Sequence, residues 1–121
     1  MEIAVRIGWA LLALLHVMPA LVFFAPTMTE RLYAVAPDGD VGLLIVHRGA
    51  LFLAILVASL FALFDPAVRR AAFVIVAISV LGFLFAYVRA GMPEGALRTI
   101  AMADLVALVP LAFVGWAAWR S

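Results

Sequence analysis

Long apolar stretches dominate the chain, and most polar residues lie in the short segments between them. Four stretches, at 3–25, 41–64, 68–90 and 98–119, are each longer than the ~20 residues that cross a ~30 Å hydrocarbon core. Lipid offers their backbone groups no hydrogen-bond partner, so each stretch is expected to be an α-helix. The pattern predicts an all-α fold, an antiparallel four-helix transmembrane bundle that forms a single integral membrane domain over residues 1–121.

Turn-forming residues mark the ends of these helices. The Asp-Pro pair at 65–66 is typical of an N-cap followed by the first residue of a helix, and Gly-Met-Pro at 91–93 is typical of a helix end. The longest connection, 26–40, carries Thr27 and Glu30 at the spacing of a capping box. The sequence therefore predicts a short helix in this first loop, lying at the membrane interface.

Composition supports a membrane protein and excludes several other classes. Hydrophobic residues make up 69% of the 121 residues and charged residues 12%, whereas soluble domains carry about 25% charged residues. The chain has no cysteine, which excludes disulfides and thiolate metal sites, and no metal is expected. It also has no cluster of basic residues that would bind nucleic acid.

The arginines are distributed unevenly between the two predicted sides of the membrane. One side carries both chain ends and the second loop, with Arg6, Arg69, Arg70 and Arg120. The other side carries most of the acidic residues: Glu30, Asp38, Asp40 and Glu94. By the positive-inside rule, this predicts a multi-pass protein of the bacterial inner (cytoplasmic) membrane with both termini in the cytoplasm.

Two opposite charges lie inside the predicted spans. Arg48 is about seven residues, or ~10 Å, from the outer end of the second span, and Asp104 is about six residues, or ~9 Å, from the outer end of the fourth. Ionisable residues at such positions face the bundle interior and mark functional sites. We expect the two to pair. The pair would either join two helices or bind an anionic head group or a quinone-like oxygen, and the sequence leaves both readings open.

The two histidines add candidate chemistry. His47 precedes Arg48, and His16 lies ~13 Å from the outer end of the first span. With Asp104, they are the candidate acid–base groups of a catalytic site. Ligation of haem b by both rings is a second reading, although no cofactor is the primary expectation. A hydrogen bond between helices is the simplest role for His16. The predicted ligand-binding set is Arg48, His47, Asp104, His16, Ser59 and Tyr87.

A stripe of small residues runs along the third span. Ser79, Gly82 and Ala86 recur at helical spacing. Small residues let membrane helices approach closely, so this stripe predicts a helix–helix contact.

The segments 31–56 and 101–111 resemble those of small bacterial membrane proteins with a DoxX-like layout. Such proteins have four predicted helices, an LYG-like element in the first loop, an HR pair in the second helix and an aspartate in the fourth. Ala34 replaces the glycine of the LYG-like element here. The resemblance implies the four-helix membrane fold, and it marks three motif positions without a chemical role: His47, Arg48 and Asp104.

These observations predict a small membrane protein with a polar pocket in the outer half of the bilayer. The pocket would bind a lipid or isoprenoid-like amphiphile, or the protein would be a subunit of a larger membrane complex or self-associate. A membrane-embedded isomerase or oxidoreductase acting on a lipid-soluble substrate is the alternative, with a histidine as acid or base and Arg48 with Asp104 as an electrostatic clamp. A haem b electron carrier is the second alternative. The sequence does not decide whether the protein is an enzyme.

Overall fold

The computed structural model of the protein describes residues 1–120, which form six α-helices, one 3-10 turn and no β-strand. The 3-10 turn, Pro66–Val68, leads directly into the fifth helix. In chain order the helices are α1 (Glu2–Leu15), α2 (Val17–Phe24), α3 (Met28–Tyr33), α4 (Gly39–Phe64), α5 (Arg69–Arg89) and α6 (Ala96–Arg120).

Three helical segments are long and apolar enough to cross a membrane: Gly39–Phe64, Pro66–Arg89 and Ala96–Arg120. A fourth span results if α1 and α2, which meet at a bend of 40°, are counted as one. In the most apolar 18-residue stretch of α4, only 11% of the residues are buried within the protein, so most of its apolar side chains face outward. The predicted all-helical fold is therefore confirmed, and its three to four long apolar helices are compatible with a multi-pass membrane protein.

The first span is broken at His16, so the prediction of one helix over 3–25 is wrong. Pro19 has no N–H to donate to the carbonyl of Leu15, which removes a hydrogen bond at this point. The backbone N–H of His16 donates to the carbonyl of Ala13 at 3.1 Å, a tighter turn than an α-helix makes. The His16 ring nitrogen Nδ1 donates to the carbonyl of Leu12 at 2.8 Å. A proline and a side chain bonded to the backbone together account for the bend.

The predicted helix ends are correct in position but differ in detail. The side chain of Asp65 accepts a hydrogen bond from the Ala67 N–H at 2.9 Å, which confirms the predicted cap, although it opens the 3-10 turn rather than α5 itself. The short helix expected in the first loop is α3. Its predicted capping box is wrong, because the Thr27 side chain makes no capping hydrogen bond and so forms none with the backbone near Glu30.

The hydrophobic core lies between α1, α4, α5 and α6. It uses the first three turns of α1, the last turn of α4, the first half of α5 and the second half of α6. Its buried members are Val5, Trp9, Leu12, Ala62, Ala72, Val76, Val80, Ala107, Leu111 and Val114. The opposite ends of these helices are packed less completely, and the candidate site lies there.

The stripe of small residues on α5 does not make the predicted helix–helix contact. The buried face of α5 carries Ala72, Val76 and Val80 instead. A Cβ atom added to Gly82 would have no other heavy atom within 4 Å, so the stripe borders open space. Helical spacing locates a stripe on one face, but the rotation of α5 against α6 is decided by the larger valines, which bury more apolar area.

Candidate functional site: a polar cavity beside Arg48

A cavity of about 380 Å³ lies at the end of the molecule away from the core. The bend between α1 and α2 forms one wall, α3 and α4 form the second, and the beginning of α6 forms the third. Most of the lining is apolar, and five side chains bring polar atoms to it: His16, Tyr33, Arg48, Thr99 and Asp104. A mostly apolar pocket with a few convergent polar groups is the usual form of a small-molecule site.

Aromatic rings surround the guanidinium of Arg48. Its central carbon lies 4.6 Å from the centroid of Phe52, which is one helical turn further along α4. It lies 5.6 Å from the rings of both Tyr33, from α3, and Phe83, from α5. A cation within about 6 Å of a ring face is attracted by the ring quadrupole, most strongly when it is desolvated. Three rings from three helices therefore hold this charge in place.

The Arg48 guanidinium has no hydrogen-bond acceptor or ion-pair partner among residues 1–120. The direct contact that the sequence predicts between Arg48 and Asp104 is therefore wrong. Both side chains line the same cavity, so they face each other across it rather than touch. The cause is the aromatic cluster, because the guanidinium packs against the Phe52 ring of its own helix.

His16 is part of the cavity and is 3% exposed. Its hydrogen bond to the carbonyl of Leu12 lies within its own helix, so the predicted bond between helices is wrong. Because Nδ1 donates to that carbonyl, the neutral ring has Nε2 as its acceptor. The ring also lies 5.7 Å from the Phe52 ring, which links it to the aromatic cluster.

His47 does not join this site. It is exposed on α4 and is absent from the cavity lining, although Arg48 follows it directly. Adjacent residues on a helix are about 100° apart, so the two side chains leave α4 in different directions. Only one of the two histidines considered as haem ligands or as acid–base groups thus lies beside Arg48 and Asp104.

The two remaining residues of the predicted binding set lie elsewhere. Ser59 is buried and its hydroxyl donates to the carbonyl of Ile55 at 3.0 Å, so its polar group is satisfied within α4. The Tyr87 hydroxyl donates to the carbonyl of Pro93 at 2.7 Å. Tyr87 lines a different cavity, of about 410 Å³, together with Glu94 and Arg98.

Tyr33 is the most informative residue that sequence reasoning missed. It is buried in the cavity wall, and this burial raises the pKa of its hydroxyl above the ordinary value, so the group remains a neutral donor at neutral pH. Phe52 has a signal in the sequence, since it follows Arg48 by four residues. Tyr33 and Phe83 have none, because only the packing of α3 and α5 brings them to Arg48.

Residues 1–120 contain no group of three or more histidine, aspartate or glutamate side chains that could hold a metal ion. The polar groups that line the cavity are a guanidinium surrounded by aromatic rings, a carboxyl group, an imidazole and two hydroxyls. No protein-family model, curated protein or solved structure matches the chain.

Proposed function

We propose that this protein binds the polar head of a lipid-soluble amphiphile in the cavity beside Arg48. One observation carries the proposal: the Arg48 guanidinium is caged by three rings, lines the cavity and has no acceptor among residues 1–120. Leaving such a charge without hydrogen bonds in an apolar setting is costly. An oxyanion or carbonyl oxygen from a ligand would supply the missing acceptors, and a guanidinium can bind such a group with two parallel hydrogen bonds.

The other polar groups of the cavity suit a head group with hydrogen-bonding functions. The Asp104 carboxylate can accept hydrogen bonds from a ligand. It lines the same cavity as Arg48 but forms no direct ion pair with the guanidinium. The hydroxyls of Tyr33 and Thr99 can donate to ligand oxygens. Leu15 and Met18, from α1 and α2, give the cavity an apolar wall beside these polar groups.

The proposal includes a membrane setting. The apolar helices would form an antiparallel four-helix bundle in the inner membrane of a bacterium, with α3 at the interface and both termini in the cytoplasm. The arginine distribution supports this orientation. In it the cavity lies in the outer half of the bilayer, with Arg48, Asp104 and His16 ~9–13 Å from the outer ends of their spans. The resemblance to proteins of DoxX-like layout belongs to the same proposal.

The exposed apolar surface supports association with a lipid or with other protein. Large side chains face outward along α4 to α6, among them Phe61, Ile78 and Val109. Exposed apolar surface of this extent needs lipid, a second copy or a larger membrane complex to cover it.

The lipids that co-purify with the protein test the proposal. The wild-type protein and Arg48→Met are purified in mild detergent, and the bound lipids are identified by mass spectrometry. We expect an amphiphile enriched on the wild-type protein to fall about tenfold or more on Arg48→Met, since a charged hydrogen bond contributes roughly 1.5–3 kcal/mol. Arg48→Lys should retain an intermediate amount, because it keeps the charge but not the planar fork.

Arg89→Met is the matched control. Arg89 also lies over a ring, 5.3 Å from Phe85, but it is exposed and outside the cavity. Its replacement should leave the lipid profile unchanged. Equal lipid profiles for the wild-type protein and Arg48→Met, with both proteins folded by thermal unfolding, would reject the proposed function.

A further inference from the structure

An apolar groove of about 790 Å³ runs between α4 and α5, on the far side of Arg48 from the polar cavity. Its walls are almost entirely aliphatic and aromatic, with Ile45, Leu51 and Ile55 from α4 and Ile75, Ile78 and Phe83 from α5. Gly82 lies in the α5 wall, and the space beside it is open. The groove is thus an open apolar cleft rather than a tight contact between helices.

Arg48 and Phe52 line both the groove and the polar cavity. The guanidinium lies at equal distances, 5.6 Å, from Tyr33 in the cavity wall and Phe83 in the groove wall. The cavity and the groove are therefore adjacent, and Arg48 and Phe52 form part of the wall of each.

Arg48 is the only charged side chain in the groove lining, and it lies about one helical turn from Ile45 at one end of the α4 wall. From Arg48 the α4 wall continues to Ile55, seven residues or ~10 Å further, with apolar side chains only, and the α5 wall adds one polar side chain, that of Ser79. A cation at the head and a hydrocarbon surface beyond it match a molecule with an anionic group on a single long chain. A phosphate or carboxylate would complement Arg48, and the chain would cover the isoleucines.

We infer that the ligand is a single-chain anionic amphiphile, such as a fatty acid or a long-chain monophosphate, whose chain lies in the α4–α5 groove. This inference rests on the proposed function, which supplies the head-group site at Arg48. It adds the class of ligand and the path of its chain. In the proposed orientation the chain points toward the middle of the bilayer, as the chains of outer-leaflet lipids do.

Equilibrium binding of radiolabelled probes in detergent micelles tests the inference. The probes are palmitate, octanoate, hexadecyl phosphate and octyl phosphate, so that head group and chain length vary separately. Gly82→Phe fills the groove from a position with free space and also replaces glycine within a helix, so it should fold. Leu81→Phe is the matched control, since Leu81 is exposed on α5 outside the groove lining.

We expect Gly82→Phe to weaken binding of the two long-chain probes about tenfold and to leave the short-chain probes unchanged. Leu81→Phe should change neither, and Arg48→Met should weaken all four. The head group that binds the wild-type protein with the higher affinity shows whether the ligand is a carboxylate or a phosphate.

Each contrary result has a distinct meaning. If Gly82→Phe leaves palmitate and hexadecyl phosphate binding unchanged, the groove inference is overturned, while an effect of Arg48→Met keeps the proposed function. If Gly82→Phe instead changes only the oligomeric state, the groove is an interface between copies, which also overturns the inference. If the wild-type protein binds none of the probes, the ligand class is wrong, and the co-purifying lipids decide separately on the head-group site.

Discussion

Ala34 adopts a left-handed backbone conformation that residues other than glycine and asparagine rarely take. It ends α3 with φ of 60° and ψ of 35°, and its N–H donates to the carbonyl of Glu30 at 3.0 Å. This is the left-handed cap that closes many helices, usually with glycine. The geometry gives a physical reason for a glycine there, because the left-handed region crowds a Cβ atom.

Replacing Ala34 with glycine should stabilise the protein. The left-handed conformation costs an alanine roughly 1 kcal/mol, which glycine avoids, so Ala34→Gly should raise the free energy of unfolding by up to about 1 kcal/mol. Thermal unfolding in detergent measures the change. Ala36→Gly is the control, since Ala36 is an exposed loop residue without a positive φ and gains nothing from glycine. The prediction would be contradicted if Ala34→Gly were no more stable to thermal unfolding than Ala36→Gly.

At the scale of the helices, the approach of α2 to α4 forms one side of the site. A Cβ atom on Gly49 would lie 2.8 Å from the backbone nitrogen of Phe23 and 3.2 Å from the carbonyl oxygen of Pro19. These are backbone atoms, which cannot move without moving α2. The helix carries Met18 and Pro19 into the cavity wall, so the glycine next to Arg48 controls the width of the cavity as well as the packing.

Gly49→Ala should therefore destabilise the protein, and Gly82→Ala should not. Overpacking against fixed backbone costs roughly 1–3 kcal/mol, which exceeds the gain from removing a helical glycine. At Gly82 the added methyl group meets no atom, so only the gain of about 0.5–1 kcal/mol remains. The difference in unfolding temperature between the two variants in the same detergent measures this. Equal shifts would show that α2 does not press on Gly49.

At the scale of the whole molecule, Arg69 joins three segments at the end opposite the site. Its guanidinium donates to both carboxylate oxygens of Glu2 at 2.7 and 2.9 Å. It also donates to the carbonyl of Ala62 at 2.7 Å and to that of Leu63 at 3.2 Å. The beginning of α1, the end of α4 and the beginning of α5 are thereby held together. The core residue Val5 and Arg69 both line a cavity of about 510 Å³ at this end of the molecule.

Removing this cluster should lower global stability without changing the ligand. Arg69 is 7% exposed, and Arg69→Met loses its charged hydrogen bonds to the carbonyls of Ala62 and Leu63, about 3 kcal/mol or more in total. Arg6→Met removes an exposed partner of the same Glu2 and should have little effect. Thermal unfolding compares the two variants, and the lipid profile of Arg69→Met should match the wild type. A change in bound lipid would mean that the two ends of the molecule are coupled.

The sequence by itself determined which parts of the chain are helical and the level of the candidate groups along them, but it did not predict the break at His16. Span length follows from the apolar run, because lipid forces the backbone of such a run into a helix. The rise of 1.5 Å per residue then sets how far each group lies from the end of its helix. This is why His16, Arg48 and Asp104 were expected near one another, and the three do line one cavity. The cap at Asp65 was also predictable, because its hydrogen bond joins residues only two positions apart in the sequence.

Only the tertiary structure decided what each of these groups touches. The partners of Arg48 include Tyr33 and Phe83, whose helices reach it through packing that no local pattern encodes. Helical spacing relates the faces of one helix to each other, but its rotation depends on the neighbours against which it packs. For that reason the neighbouring His47 points away from the cavity while Arg48 points toward it. The same packing holds Arg48 among aromatic rings rather than against Asp104, and so leaves its hydrogen-bond donors available to a ligand.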